Sequence, residues 1–197
     1  IDCIDVNRAI DAICKCTESI QFGKTKLLSS IPTLYSYSVL IDHIGSIQEY
    51  SRFMIKELTN HIDTDYVLCI QWDGFVLNPD AWTDEFLNYD YIGAPWWFYD
   101  DMNVGNGGFS LRSKKFLDTC SKLPIKNFNP EDLVLCRTYR NLLLKEGIRF
   151  APEKLAAKFS IEGNNKYGQT WDNQFGFHDL QMTNISNWKG YSNFRGK

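Results

Sequence analysis

The sequence predicts an α/β fold, a mixed and mostly parallel central sheet flanked by helices, and two stretches carry that prediction. Near the amino end a strand-like segment, a helical repeat and a second strand-like segment follow one another, which is the opening of a βαβ unit. Further on, an amphipathic helix opening at Ser46 runs directly into the short apolar run Tyr66 to Ile70, as a crossover helix does when it feeds a parallel strand. At 197 residues the chain suits a single domain, 1–197, with a substantial core.

Each element has its own local reason. Ile1 to Ile4 reads as a strand entered part-way, which suggests residues upstream. Val6, Ala9, Ile10, Ile13 and Cys14 recur at helical spacing over Val6 to Cys16, with Asp5 as cap. Thr25 to Leu28 and Val39 to Ile41 read as short strands around the Ile31-Pro32 break. Ser46 and Glu49 form a capping box, and Ile47, Tyr50, Met54, Leu58 and Ile62 make an apolar stripe ending near Asn60 to Asp63. His43 and His61, at the edges of this helix, have no ligand-spaced neighbours and read as surface or capping residues. Ala81 to Leu87 reads as a short helix, Tyr91 to Pro95 as a strand leaving into a loop, and Ser113 to Leu123 as a helix with Phe116, Leu117 and Cys120 inward. Asn129 as cap, Pro130 at the first position and the acids Glu131 and Asp132 in the first turn open a helix that runs to Leu144 and stops at Gly147. Ile148 to Ala151 is a further strand and Ala156 to Ile161 a short edge element. The tail from Gly163, rich in Asn, Gly and aromatics, reads as an irregular lid or wrapping segment.

Composition excludes some partners. With 21 basic against 24 acidic residues the formal charge is -3, so no overall field attracts nucleic acid or anionic lipid. No apolar run approaches the roughly 18 to 20 residues of a membrane span. Six cysteines without paired CxxC spacing read as reduced thiols in a cytosolic compartment, and no secretory signal is visible. Aromatics, at 15%, exceed what charge or motif demands, and they stack on rings as readily as they fill cores.

Four stretches carry candidate chemistry. In YVLCIQWDGFVLNP the apolar run breaks into Gln71, Trp72, Asp73 and Gly74, placing a carboxylate at the carboxyl end of a strand, where open α/β sheets bind ligands. Asp-Gly is equally a hairpin signal, with Phe75, Val76 and Leu77 as the returning strand, and these residues alone leave both readings open. Trp96, Trp97, Phe98 and Tyr99 cannot all face one core from a strand, so some line a surface or cleft, clamping a loop or binding rings. Gly105-Asn106-Gly107-Gly108 lacks dinucleotide-binding spacing, yet demands positive φ or close backbone approach. Glu131 and Asp132 need no explanation beyond the helix start, although a carboxylate held there beside a cleft can act as a base.

The order of QWDGFVLNP, YDYIGAPWW, VGNGGFSLRS, PEDLVLCR, GIRFAP, FSIE and FGFH resembles a glycosyltransferase family found in bacterial polysaccharide clusters and large DNA viruses, and more widely the GT-A superfamily. The resemblance covers about Ile1 to His178. It implies a GT-A-like domain with a nucleotide-binding half, about 1–80, and an acceptor-side half, about 81–197. It implies a nucleoside-diphosphate sugar donor, a glycan or lipid-linked acceptor and a divalent metal, Mn2+ or Mg2+. Asp73 matches the last acid of the metal-binding DxD motif, with Gln71 standing where the first acid would be, and Trp72 and Gly74 flank the donor. His178 matches the late histidine that supplies a further metal ligand. Gly107, Gly108 and Phe109 match the loop between donor and acceptor, with Trp96 and Trp72 as sugar-stacking platforms. Asp132 matches the base of inverting members, and Glu131 an acceptor-binding acid. Two other classes compete: a non-catalytic carbohydrate-binding module that uses the aromatics, and a glycoside hydrolase with Asp73 and Asp132 as its carboxylate pair.

Overall fold

The computed structural model of the chain describes residues 1–163 and 171–179. Helix α1, Val6–Thr17, starts where the Asp5 carboxylate accepts the Asn7 N–H at 3.0 Å. Its buried face is Ala9, Ala12, Ile13 and Cys16, while Cys14 is exposed. Cys16, not Cys14, completes the i, i+3, i+4, i+7 face. Strands β1, Leu27–Ser29, and β2, Ser38–Leu40, pair in parallel with Leu28 opposite Val39. Helix α2, Ile47–Lys56, opens on Ser46, whose hydroxyl accepts the Glu49 N–H at 3.2 Å. The Glu49 carboxylate reaches back to the Gly45 N–H at 2.7 Å, so a second orphan donor is satisfied at the same helix start. A 3₁₀ turn, Leu58–His61, leads on to β3, Tyr66–Ile70.

Strands β4, Tyr91–Gly93, and β5, Phe109–Ser113, complete a three-stranded sheet of order β3-β5-β4, antiparallel at both ladders. Helix α3, Lys114–Lys122, is capped by the Ser113 hydroxyl, which accepts the Phe116 N–H at 2.9 Å. The helix predicted from Asn129 begins one residue late, with Pro130 as its cap. It divides into α4, Glu131–Leu133, a π-helical turn, Val134–Thr138, and α5, Arg140–Lys145. Gly147, at φ 74°, ends it as expected. Helix α6, Glu153–Phe159, precedes β6, Ser160–Glu162, which pairs in parallel with β7, Gly176–His178.

The α/β class holds, but the predicted single, mostly parallel sheet does not: the described strands form three small sheets, and the largest is antiparallel. A five-residue strand such as Phe109–Ser113, FSLRS, carries no sign of its direction, which tertiary pairing decides. Ile1 to Ile4 forms no strand, Ile148 to Ala151 contributes only a bridge from Phe150 to Tyr91, and Ala81 to Leu87 lies across two 3₁₀ turns. The lid reading of the tail falls largely on 164–170 and 180–197, outside the described residues.

Alternation along the three-stranded sheet separates two apolar clusters. Ile92, Phe109 and Leu111 point into one with Phe75, Phe159, Phe175 and Phe177; Tyr91, Val67 and Cys69 point into the other with Phe116, Leu135 and Leu143. Burying such a phenylalanine contributes about 1.5–3 kcal/mol each, so the sheet is a rigid base for whatever its strand ends carry. No helix among the described residues is long and apolar enough to cross a membrane.

Candidate functional site

The carboxyl end of β3 closes in a tight turn. The Gly74 N–H donates to the Gln71 carbonyl at 3.1 Å and the Gln71 N–H to the Gly74 carbonyl at 3.2 Å, leaving Trp72 and Asp73 at the tip. Neither tip residue has a positive φ, so this is not the primed turn that Asp-Gly favours, and it lies one residue earlier. Phe75 to Leu77 does not return along β3. Val76 bridges Gly176, and the Leu77 N–H donates to the Phe175 carbonyl at 3.1 Å, so β7 takes the partner's place. Asp73 thus sits in a turn at the carboxyl end of a strand, with Phe75 to Leu77 not the returning strand of a hairpin.

Strand β7 brings His178 to that turn. The Asp179 N–H donates to the Asp73 carbonyl at 3.0 Å, fixing the two backbones together. His178 Nε2 lies 3.1 Å from Gln71 Oε1 and 3.7 Å from Asp73 Oδ1. The parallel register sets Glu162 beside His178, and Glu162 Oε1 is 3.3 Å from Nδ1. Gln71 Nε2 in turn donates to the Tyr50 hydroxyl at 2.9 Å. Asp73 Oδ1 is enclosed yet makes no hydrogen bond. Burial works against charge on the His178 ring, but the Glu162 contact and the Asp73 and Asp179 carboxylates outweigh it, raising its pKa above the ordinary 6.5. The same negative surroundings favour any cation placed beside the ring.

Gly107 and Gly108 join this cluster to a second one. A Cβ on Gly108 would overlap the His178 ring, and one on Gly74 would lie 2.9 Å from the Phe177 carbonyl oxygen and 3.3 Å from that of Gly108. A Cβ on Gly107 would overlap Glu131 Oε1. Close approach is therefore what these glycines supply, while the positive φ, 63°, falls on Asn106, whose Oδ1 accepts the Gly108 N–H at 2.9 Å. The Gly107 N–H donates to Asp132 Oδ2 at 3.0 Å. Glu131 turns the other way: it is 4% exposed, and Arg112, fully buried, donates Nη2 to its Oε1 at 2.8 Å and Nη1 to its Oε2 at 3.4 Å. Arg112 also donates to the Gly107 carbonyl at 3.3 Å and the Ser110 hydroxyl at 2.9 Å. Burial opposes the guanidinium's charge, but the Glu131 carboxylate more than restores it and holds its pKa well above normal.

A match over residues 37–178 connects the chain to a family described as a protein of unknown function, DUF5672. The chain belongs to this family. The matched span runs from the residue before β2 to His178 and includes every residue of both clusters but Asp179. No functionally curated protein matches the chain.

Within the family's span, the other predicted site residues separate by exposure. Trp72 is 40% exposed, with the Arg8 guanidinium 4.9 Å from its ring centroid, so one face is engaged. Trp96 is 2% exposed: its ring occupies the space where a Gly105 side chain would be, and it packs edge-on to Phe98. Of the four consecutive aromatics, Trp97 and Tyr99 are the exposed pair. Phe109 is wholly buried under the glycine loop, against Phe159 and Phe175. Arg112, Glu162 and Tyr50 were not among the site residues read from the sequence. A lone arginine inside the apolar strand run FSLRS was the available signal for the first; the others are brought in by strand register and by α2.

Among the described residues, no group of three His, Cys, Asp or Glu side chains has metal-binding geometry. Asp73 and His178 nonetheless suit a hard divalent ion as a partial shell. Asp73 Oδ1 makes no hydrogen bond, Nε2 lies 3.7 Å from it and 3.1 Å from Gln71 Oε1, which a ligating ring would give up, and Glu162 on Nδ1 is the outer-shell carboxylate that orients a ligating imidazole. The remaining positions would fall to a ligand's oxygens and water.

Proposed function

We propose that this chain is a glycosyltransferase of GT-A type, moving a sugar from a nucleoside diphosphate to a hydroxyl of a glycan or lipid-linked acceptor with inversion. The observation that most supports this reading is the meeting of Asp73, with its unpartnered oxygen, and His178 at one side of Gly107-Gly108, while Asp132 is held at the other. Asp73 and His178 would hold a divalent ion, manganese or magnesium, at the donor's diphosphate end, and when bound it would offset the charge left on the diphosphate. Gly107 and Gly108 let the sugar approach the backbone. Asp132, fixed by the Gly107 N–H, takes the proton as the acceptor oxygen bonds to the anomeric carbon and the carbon–oxygen bond to the diphosphate breaks. Glu131 is engaged with Arg112, so it shapes the loop, and contact with the acceptor falls to Asp132.

The test is incubation with a panel of nucleotide sugars and manganese, following nucleoside diphosphate release and donor binding. One donor should be turned over. Asp132→Asn should lower turnover about 10²- to 10⁴-fold with donor binding retained, and Asp73→Asn should abolish metal-dependent donor binding. Absence of any bound donor, or full activity in both variants, ends the reading. Glycan binding that ignores nucleotide and survives Asp132→Asn would replace it with a carbohydrate-binding module.

A further inference from the structure

A cavity of about 330 Å³ lies between β1 and β3 and reaches Tyr50, Gln71, Trp72 and Gly107 of the candidate site. One wall is Lys24 to Leu28 and the facing wall Tyr66 to Gln71, each an extended stretch of five or six residues. Both walls are open strand edges. Among the described residues the three-stranded sheet ends at β3, and β1 has no strand partner but β2, its other edge meeting only the Asp2 N–H and Cys3 Sγ near its carboxyl end. The Leu27 N–H faces β2, where it donates to the Tyr37 carbonyl, so the Leu28 N–H points into the cavity. The Asp65 carbonyl faces β5, where it accepts from Lys114, so by alternation Val67 and Cys69 face β5 and Leu68 faces the cavity. Above and below, the slot is closed by apolar side chains, Ala9 and Ile13 from α1 and Met54 from α2 with Leu58 from the 3₁₀ turn after it.

We propose that this slot is a β-strand acceptor, taking an extended and wholly apolar segment of polypeptide that runs parallel to β1 and leads into Ile1. Three observations fix the occupant. Unpaired backbone edges on two sides call for a partner with donors and acceptors on both edges, which a strand has and a small apolar molecule lacks. Helices on both faces call for apolar side chains at every position, the pattern of a strand buried on two sides and not of an edge strand. The direction comes from Ile1–Cys3: the Asp2 N–H donates to the Leu28 carbonyl at 3.1 Å, and Cys3 Sγ accepts the Ser30 N–H at 3.4 Å, so the chain moves along β1 in the same sense as β1 itself. Ile1 lines the slot, at the end from which that pairing can be continued backwards. A strand there joins β2-β1 to β3-β5-β4 and makes one six-stranded sheet of the two.

The experiment extends the chain ahead of Ile1 with a five-residue β-branched segment, Val-Ile-Val-Ile-Val, and compares it with the unextended chain and with an equal-length control, Val-Pro-Val-Pro-Val, which cannot pair. The expected result is a melting temperature higher by roughly 5 °C or more for the first extension alone. Amide exchange at Leu28 and Leu68 should slow about 100-fold, with no change at the outer edge of β2. Equal melting temperatures for the two extensions, or protection at β2 in place of Leu28 and Leu68, would overturn the proposal.

Discussion

The two clusters on either side of Gly107-Gly108 are built from similar groups, a nitrogen-bearing side chain beside a carboxylate, and end in opposite conditions. Arg112 and Glu131 are buried together, and two more of the arginine's donors are met by Ser110 and the Gly107 carbonyl. His178 and Asp73 are partly exposed, stand 3.7 Å apart, and leave one carboxylate oxygen enclosed without a hydrogen bond. A satisfied buried network holds a loop in one shape, whereas an unsatisfied polar atom is a cost that a folded protein carries where something else binds. The difference separates scaffold from site more sharply than residue type does, since each cluster sets a nitrogen-bearing side chain against a carboxylate.

The largest expected effect breaks the scaffold side. Glu131→Ala leaves Arg112 buried and unpaired, and removal of one partner from a buried pair costs about 3–5 kcal/mol. For a chain of this size that is a fall in melting temperature of roughly 10 °C or more by thermal scanning. Asp73→Asn, measured in the same way, should change stability by less than about 1 kcal/mol, because no hydrogen bond to Oδ1 is lost. Comparable losses in the two variants would erase the distinction between the clusters.

A finer cut uses the two adjacent glycines, one peptide apart. Gly107→Ala drives a methyl group into Glu131, and Gly108→Ala drives one into the His178 ring. Overpacking of this kind costs about 1–3 kcal/mol where the neighbour cannot yield. Glu131 is locked by Arg112, so Gly107→Ala should fall at the upper end. His178 is partly exposed and can swing away, so Gly108→Ala should keep most of the stability and lose metal-dependent ligand binding. Denaturant midpoints beside a manganese titration would resolve the two, and a Gly108→Ala protein that binds manganese as before would remove His178 from the site.

Much of this was legible in the sequence where the cause is local. Asp5 and Ser46 announce their helices by capping chemistry, Gly147 ends one by its left-handed backbone, and Tyr66–Ile70 declares itself a strand by length and β-branching. The acid at Asp73, the glycines and His178 were visible as residues. What was hidden depends on pairing across sequence distance. The direction of β5, the Glu162–His178 contact set by the β6-β7 register, and the Arg112–Glu131 pair each arise from partners with no periodic link between them. The π-helical turn at Val134–Thr138 escaped because Leu133, Cys136, Arg140 and Leu143 still fit a continuous helix at single-sequence precision. Trp96 shows the limit of composition: an aromatic run says that faces must divide, not which ring goes inward.

The smallest expected effect tests whether burial, and not charge alone, sets the worth of these contacts. Asp2 pairs with Arg8 at 2.7 Å, its carboxylate enclosed but its partner's side chain 33% exposed, a condition between the two clusters. Burial alone would raise the Asp2 pKa. The Arg8 side chain and the backbone N–H groups of Asp5 and Ile4 outweigh it, so the folded-state pKa lies below the ordinary 3.8. A depressed carboxylate contributes stability that is fully present above its unfolded pKa and is lost as the pH falls through the folded value. The loss should therefore appear only below about pH 4. Solvent around Arg8 screens the pair, so its size should be about 1 kcal/mol or less, far under that of Glu131→Ala. Urea midpoints from pH 6 down to pH 3 would measure it, with Asp2→Asn flattening the acid limb. An acid limb as steep in Asp2→Asn as in the parent chain would assign it to other carboxylates and place Asp2 with the contacts that solvent has already cancelled.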